Sequence, residues 1–178
     1  MKYVSQIHWR HPVGYNEKIQ IFKITREAEN LWPYVDKYEV RKYVAAQIGP
    51  AYLNVLHGVF DRVEDIDLSQ LPRSFILKAT HGSGWNIICR NRRQFDWPDA
   101  QRKLSSWLKL NYYQSFGRER QYRQIRPKIV CEKFKQVRVD LYNIKGKIYF
   151  GELTFTPGNG AIKFEPPTWD LVFGKLWV

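Results

Sequence analysis

The residues best suited to chemistry lie between positions 137 and 160, VRVDLYNIKGKIYFGELTFTPGNG. Val137, Val139 and Leu141 alternate with Arg138, Asp140 and Tyr142, the period of a half-buried strand. The NIKGK stretch at 143–147 suits a three-residue hairpin turn, with Gly146 supplying the positive φ of a bulge. Pairing 143 with 147 sets Arg138 opposite Glu152 and Asp140 opposite Phe150, so that Arg138, Asp140, Glu152 and Thr154 share a face. Two carboxylates beside a guanidinium could hold Mg²⁺ against phosphate oxygens. The same spacing also fits a solvated sheet face with one cross-strand ion pair.

A second stretch, SFILKATHGSGWNIICR at 74–90, reads as strand, glycine-rich turn, strand. Phe75, Ile76 and Leu77 form an apolar run closed by Lys78, and His81, Gly82, Ser83 and Gly84 interrupt it. Residues without Cβ let backbone N–H groups approach an anion, as in a hairpin that covers phosphates. It is not a P-loop, since no GxxxxGK[ST] opens a helix. HGSG alone is equally an ordinary turn, and His81 is either a phosphate or substrate contact or a turn residue.

These stretches need a frame to hold them. The chain has 178 residues, 44% hydrophobic and 16% aromatic, enough for one globular domain or two small lobes sharing a core. Cys89 and Cys131 are the only cysteines, which gives neither metal-finger spacing nor a disulfide framework. The N-terminal MKYVSQIHWRH lacks an apolar leader core, and no long apolar run follows, so a cytoplasmic location is expected. The net charge is +12, concentrated at residues 90–135, where 13 Lys or Arg face four acids. Such a surplus attracts polyanions: nucleic acid, nucleotide phosphates, acidic sugars or a membrane surface.

Residues 16–30 carry Ile19, Phe22 and Ile24 at helical spacing, with Asn16 as N-cap. A better helix spans 36–47, where Tyr38, Val40, Tyr43 and Val44 share a face and Gly49-Pro50 ends it. Residues 52–60 suggest a buried strand, 97–112 an amphipathic helix with Pro98 in its first turn, and 129–134 a further strand. At 111–126 aromatics interleave with arginines, a surface that stacks bases or simply a core with a basic rim. No RNA-recognition motif or zinc finger accompanies it, so nucleic acid is the less favoured partner. The pair Asp65 and Asp67 has the letters of a sugar-nucleotide metal motif, but in a polar loop where capping explains it. The tail at 164–178, aromatic and Pro-rich, is expected to pack across the core.

Taken together the segments resemble the TupA-like ATP-grasp family of bacterial surface-polysaccharide and teichuronopeptide biosynthesis. The match runs in family order through NEKIQ (16–20), DKYEVRKYV (36–44), LPRSFILKATHGSGWNII (71–88), WLKLNYY with GRE (107–113, 117–119) and the block at 137–160. The resemblance implies ATP held between two α+β lobes, a carboxylate phosphorylated, and an amine displacing the acyl phosphate. It implies Lys78 on ATP phosphates, Gly82, Ser83 and Gly84 closing over them, and Glu132 as a nucleotide hydrogen-bond acceptor. It also implies Arg138 neutralising the transferring phosphoryl group, and Asp140 and Glu152 binding Mg²⁺. Thr154 falls where many ATP-grasp proteins place an Asn metal ligand.

One departure stands out. In the family a long insert separates the strand equivalent to KIVCEKF from VRVDLYN; here only Lys135 and Gln136 lie between Phe134 and Val137. The missing segment would supply part of the adenine-pocket wall. The chain is then a shortened paralogue, a degraded remnant or an artificially shortened form, with ligase chemistry impaired to match. The expected fold is α+β, a shortened ATP-grasp-like domain over 1–178: an N-terminal region (1–70), a phosphate-loop lobe (71–134), and a metal-binding hairpin and tail (135–178). The expected partners are a nucleotide and an acidic sugar or peptide. A non-catalytic polyanion-binding module and a glycosyltransferase-like role are the alternatives.

Overall fold

In the computed structural model, residues 8–133, 141–144, 147–150 and 161–176 are described. Phe75, Leu77 and Ala79 alternate with Ile76 and Lys78, and this period-two pattern forms β2 (Phe75–Ala79). Its odd positions are fully buried while its even ones are half-buried. A hairpin joins it to β3 (Asn86–Cys89), with Lys78 paired to Asn86. On its other side lies β4 (Ile129–Lys133), with Ile76 opposite Glu132 and Leu77 opposite Cys131. β1 (Leu56–Phe60) completes an antiparallel sheet of order β1-β4-β2-β3, bulged at Leu56 to Gly58. β4 is buried on both faces because it is central, and Ile129, Val130 and Cys131 are inaccessible. The strand expected at 52–60 is shorter and only half-buried, since it lies at an edge.

Helix α5 (Trp97–Lys109) covers one face of the sheet. Asp96 caps it by accepting from the Asp99 N–H, at 3.0 Å, and Pro98 sits in the first turn, where its missing donor costs nothing. Ala100, Leu104, Trp107 and Leu108 recur at helical spacing, and the last three join the core around Phe75, Leu77, Cys89 and Cys131. Burying each large side chain such as Leu104 or Phe75 contributes about 1.5–3 kcal/mol. Burial, with Glu132 and Cys89 nearby, pushes the Cys131 thiol up to about 12, so this core cysteine stays protonated. The helix ends three residues before the 112 expected, and Leu110 lies beyond its last turn, 36% exposed.

The N-terminal quarter is helical but in shorter pieces than the periodicity suggested. α1 (Tyr15–Phe22) and α2 (Arg26–Asn30) are separated by Thr25, whose hydroxyl caps α2. Gly14, not Asn16, is the N-cap of α1. Glu17 folds back to accept from the N–H groups of His8, Val13 and Gly14. Burial pushes its carboxyl up, but these backbone donors and His8 outweigh it and hold the pKa at about 2. Asn16 instead ties down the tail, exchanging two hydrogen bonds of 3.0 Å with the Ile162 backbone.

The helix expected at 36–47 is α4 (Val40–Ile48), beginning four residues later, and the short α3 (Trp32–Val35) precedes it. The buried Asp36 carboxylate accepts from the N–H groups of Tyr38 and Glu39, so residues 36–39 form a turn. Val40 and Val44 are buried as expected, whereas Tyr43 is 42% exposed. Gly49 ends α4 with φ of 97°. Asp65 pairs with Arg62, and Asp67 accepts from the Ser69 N–H, the capping role foreseen.

β5 (Leu141–Ile144) and β6 (Lys147–Phe150) pair antiparallel, confirming a hairpin within the fifth block. Its register differs from the one expected. Asn143 pairs with Ile148 and Ile144 with Lys147, so the turn has two residues rather than three. Arg138, Asp140, Glu152 and Thr154, expected to share a face of this hairpin, lie outside the described residues. The tail forms α6 (Trp169–Leu176), which packs on α1 instead of crossing the sheet. Tyr15 meets Phe164 and Phe173, and Asp170 accepts from the Asn16 N–H.

Candidate functional site

The sheet face away from α5 carries the even residues of β2 and β4, and on it Lys78 and Glu132 meet. Their side chains share that face because Ile76 is opposite Glu132 and Lys78 is opposite Val130. The diagonal is within a lysine's reach, and Lys78 Nζ lies 2.7 Å from Glu132 Oε2. Arg41 of α4 takes the other oxygen at 2.9 Å and anchors its second nitrogen on the Asn54 carbonyl at 2.7 Å. The Glu132 side chain is 6% exposed and Lys78 is 24% exposed. One buried carboxylate therefore holds two cations, one of them a partly exposed lysine on an inner strand.

The glycine loop follows directly. Thr80 extends the pairing of β2, donating its N–H to the Lys128 carbonyl and accepting the Lys128 N–H on its hydroxyl. Lys37, in the turn before α4, donates its ammonium to the Gly82 carbonyl. Trp85 packs beneath the loop, stacked on Trp107 at 5.9 Å and met edge-on by His81 and Tyr112. Gly82 is required by this packing, since a Cβ there would lie 2.5 Å from the Trp85 ring. Gly84 is required by its φ of 73° alone, as a Cβ would meet nothing within 4 Å. His81 and Gly82 are buried while Ser83 and Gly84 are exposed, so only the tip is free to meet a ligand.

His81 is 2% exposed. Its Nε2 lies 2.8 Å from the Trp107 carbonyl, so that nitrogen carries the hydrogen and donates it. Nδ1 has no hydrogen-bonding partner among the described residues. Burial lowers its pKa, against the Trp107 carbonyl, which raises it. The folded state holds His81 neutral while the unfolded chain takes up a proton near the ordinary pKa of about 6.5. Its contribution to stability is thus whole above that pH and is lost on acidification, by at most about 1.4 kcal/mol per pH unit. His81→Gln should be less stable at neutral pH yet lose less between pH 7.5 and 5.5; equal losses in urea unfolding would contradict this.

The basic stretch is less open than its composition suggests. Arg120 and Arg123 pair with Glu29, Arg126 with Asp61, and Arg102 and Lys103 with Asp99. Arg92 donates to the carbonyls of Leu68, Ser69 and Leu71. Tyr112, Phe116 and Trp85 pack on one another instead of standing open as a stacking platform. Among the described residues no group of His, Cys, Asp and Glu could hold a metal ion.

A family model described as TupA-like ATPgrasp matches residues 17–137 and 134–178. The chain belongs to this family. The match comes in two pieces that meet at 134–137, the place where the family's insert is missing. No curated protein and no solved structure matches the chain. For an ATP-grasp protein, the described structure brings Lys78 and Glu132 together on one face of the sheet, with the glycine loop following β2. It leaves Arg138, Asp140, Glu152 and Thr154 outside the described residues. Lys37 joins this group at the Gly82 carbonyl and Arg41 at Glu132, neither having been singled out from the sequence. Their signal was there: two cations four apart in the family block DKYEVRKYV, read only as the flank of a helix. No helix among the described residues is long and apolar enough to cross a membrane.

Proposed function

We propose that this ATP-grasp protein binds ATP with Mg²⁺ on the face of its four-stranded sheet that carries Lys78 and Glu132, and activates a carboxylate for attack by an amine. The observation that carries this reading is the pairing of Lys78 with Glu132 beside the glycine loop. Lys78 contacts the phosphates, Ser83 and Gly84 at the loop tip close over them while Gly82 seats the loop on Trp85, and Glu132 accepts from the base. His81 acts from below, holding the loop through Trp107 and Trp85. Asp140, Glu152 and Thr154 offer the hard oxygen donors that Mg²⁺ prefers. Bound Mg²⁺ supplies charge neutralisation at the phosphate oxygens, and Arg138 adds to it as charge develops on the transferring group.

A substrate carboxylate oxygen attacks the terminal phosphorus and the bond to the ADP oxygen breaks. An amine nitrogen then attacks the acyl carbon, phosphate departs, and the amine gives up a proton. The carboxylate belongs to an acidic sugar or peptide of a bacterial surface polymer, such as a teichuronopeptide, and the reaction takes place in the cytoplasm. The missing insert reduces the wall around the base, so affinity for the nucleotide falls more than the geometry at the phosphates changes.

Calorimetric titration with ATP and Mg²⁺ tests the reading. Wild type should bind, and Lys78→Met should lose about tenfold or more, the worth of one charge-assisted phosphate contact. Absence of binding by wild type, or equal binding by Lys78→Met, would refute it.

A further inference from the structure

Arg118 is the only non-glycine residue of positive φ among the described residues, at 52°, and it follows Gly117 at 46°. A long side chain rarely adopts that conformation, and glycine would adopt it freely. The turn is held from both sides. The Arg118 N–H bonds back to the Phe116 carbonyl, and the Phe116 ring packs on Trp85 at 5.9 Å and on Tyr112 at 5.1 Å. After it, Glu119 and Gln121 are buried and joined at 3.0 Å, and the Arg120 N–H donates to the Lys23 carbonyl. Trp85 is the ring that packs against Gly82, so the turn is built on the same aromatic block as the glycine loop.

The side chain contributes nothing visible to this arrangement. Arg120, Arg123 and Arg126 all have acidic partners, whereas the exposed Arg118 guanidinium has none among the described residues. A strained backbone carrying a cation with no acidic partner among the described residues, on the aromatic block that also seats the glycine loop, is a feature that stability alone would remove. We infer that Arg118 binds an oxyanion of the substrates, either a nucleotide phosphate or the carboxylate to be activated. The inference rests on the reading of the glycine loop as a nucleotide site.

Calorimetry and thermal melting of wild type, Arg118→Gly and Arg118→Lys test it. The probes are ATP with Mg²⁺, then D-glucuronate and a tri-glutamate peptide in the presence of a non-hydrolysable ATP analogue. Arg118→Gly should melt level with wild type or up to about 4 °C higher, because the strain is relieved. Its affinity for one probe class should nevertheless fall about tenfold or more, with Arg118→Lys between the two. Loss in the ATP arm identifies a phosphate oxygen, and loss in the carboxylate arm alone identifies the acceptor. Unchanged binding by Arg118→Gly of every probe that wild type binds would overturn the inference while the nucleotide site stands. A lower melting point for Arg118→Gly would also overturn it, since the side chain would then be serving the fold. A wild type that binds no probe would overturn both.

Discussion

Glu132→Ala should cost the fold about 3–5 kcal/mol, because it leaves Arg41 and Lys78 facing each other across a buried position with no carboxylate between them. With domains of this kind stable by only about 5–15 kcal/mol, that is a large share of the total. Lys78→Met should cost far less, about 1–2 kcal/mol. Glu132 then keeps Arg41, and the lysine is already partly in water. Urea unfolding of the two variants and of the double variant measures the difference. In the double variant the remaining Arg41 has neither its acid nor a like charge to oppose, so part of the Glu132→Ala loss should return. Equal losses for the two single variants would mean that Glu132 is not the hub of the cluster.

Trp85→Ala should cost a similar amount, about 3–5 kcal/mol, by opening a cavity between His81, Trp107, Tyr112 and Phe116. Its consequences should be local as well as global. The ring supports Gly82 and His81 from below, so the amides of residues 80–84 should exchange with solvent faster than those of β2 and β4. Hydrogen exchange resolved by residue checks this. A variant destabilised evenly across sheet and loop would show that the aromatic block does not set the loop's order.

The sequence made legible whatever depends on neighbours along the chain. The β2–β3 hairpin, the start of α5 at Pro98 and the end of α4 at Gly49 all follow from residues within one turn of each other. What it hid depends on contacts between distant residues. Lys78 and Glu132 are 54 residues apart and Arg41 is 91 from Glu132, and no local pattern announces that they meet. Asn16 looked like a cap because its type favours caps, but Glu17 had already captured the free N–H groups and left Asn16 to bind the tail. The β5–β6 register was misplaced by one residue because NIKGK is compatible with both a two- and a three-residue turn. Arg118 was unremarked because its φ is fixed by buried flanks, not by its own type.

The order of strands in the sheet has a kinetic consequence. β4 is the last of the four strands to leave the ribosome, yet it lies between β1 and β2. Until residue 133 has emerged, β1 has no neighbour to pair with, and the β2–β3 hairpin presents the bare edge of β2. That edge is apolar, and an unpaired apolar strand is an invitation to pair with another chain. Synthesis therefore passes through a window in which the half-made protein is prone to self-association, and the window closes when β4 inserts. A chaperone that shields extended segments should raise the yield of this chain, and slowing translation between β3 and β4 should lower it.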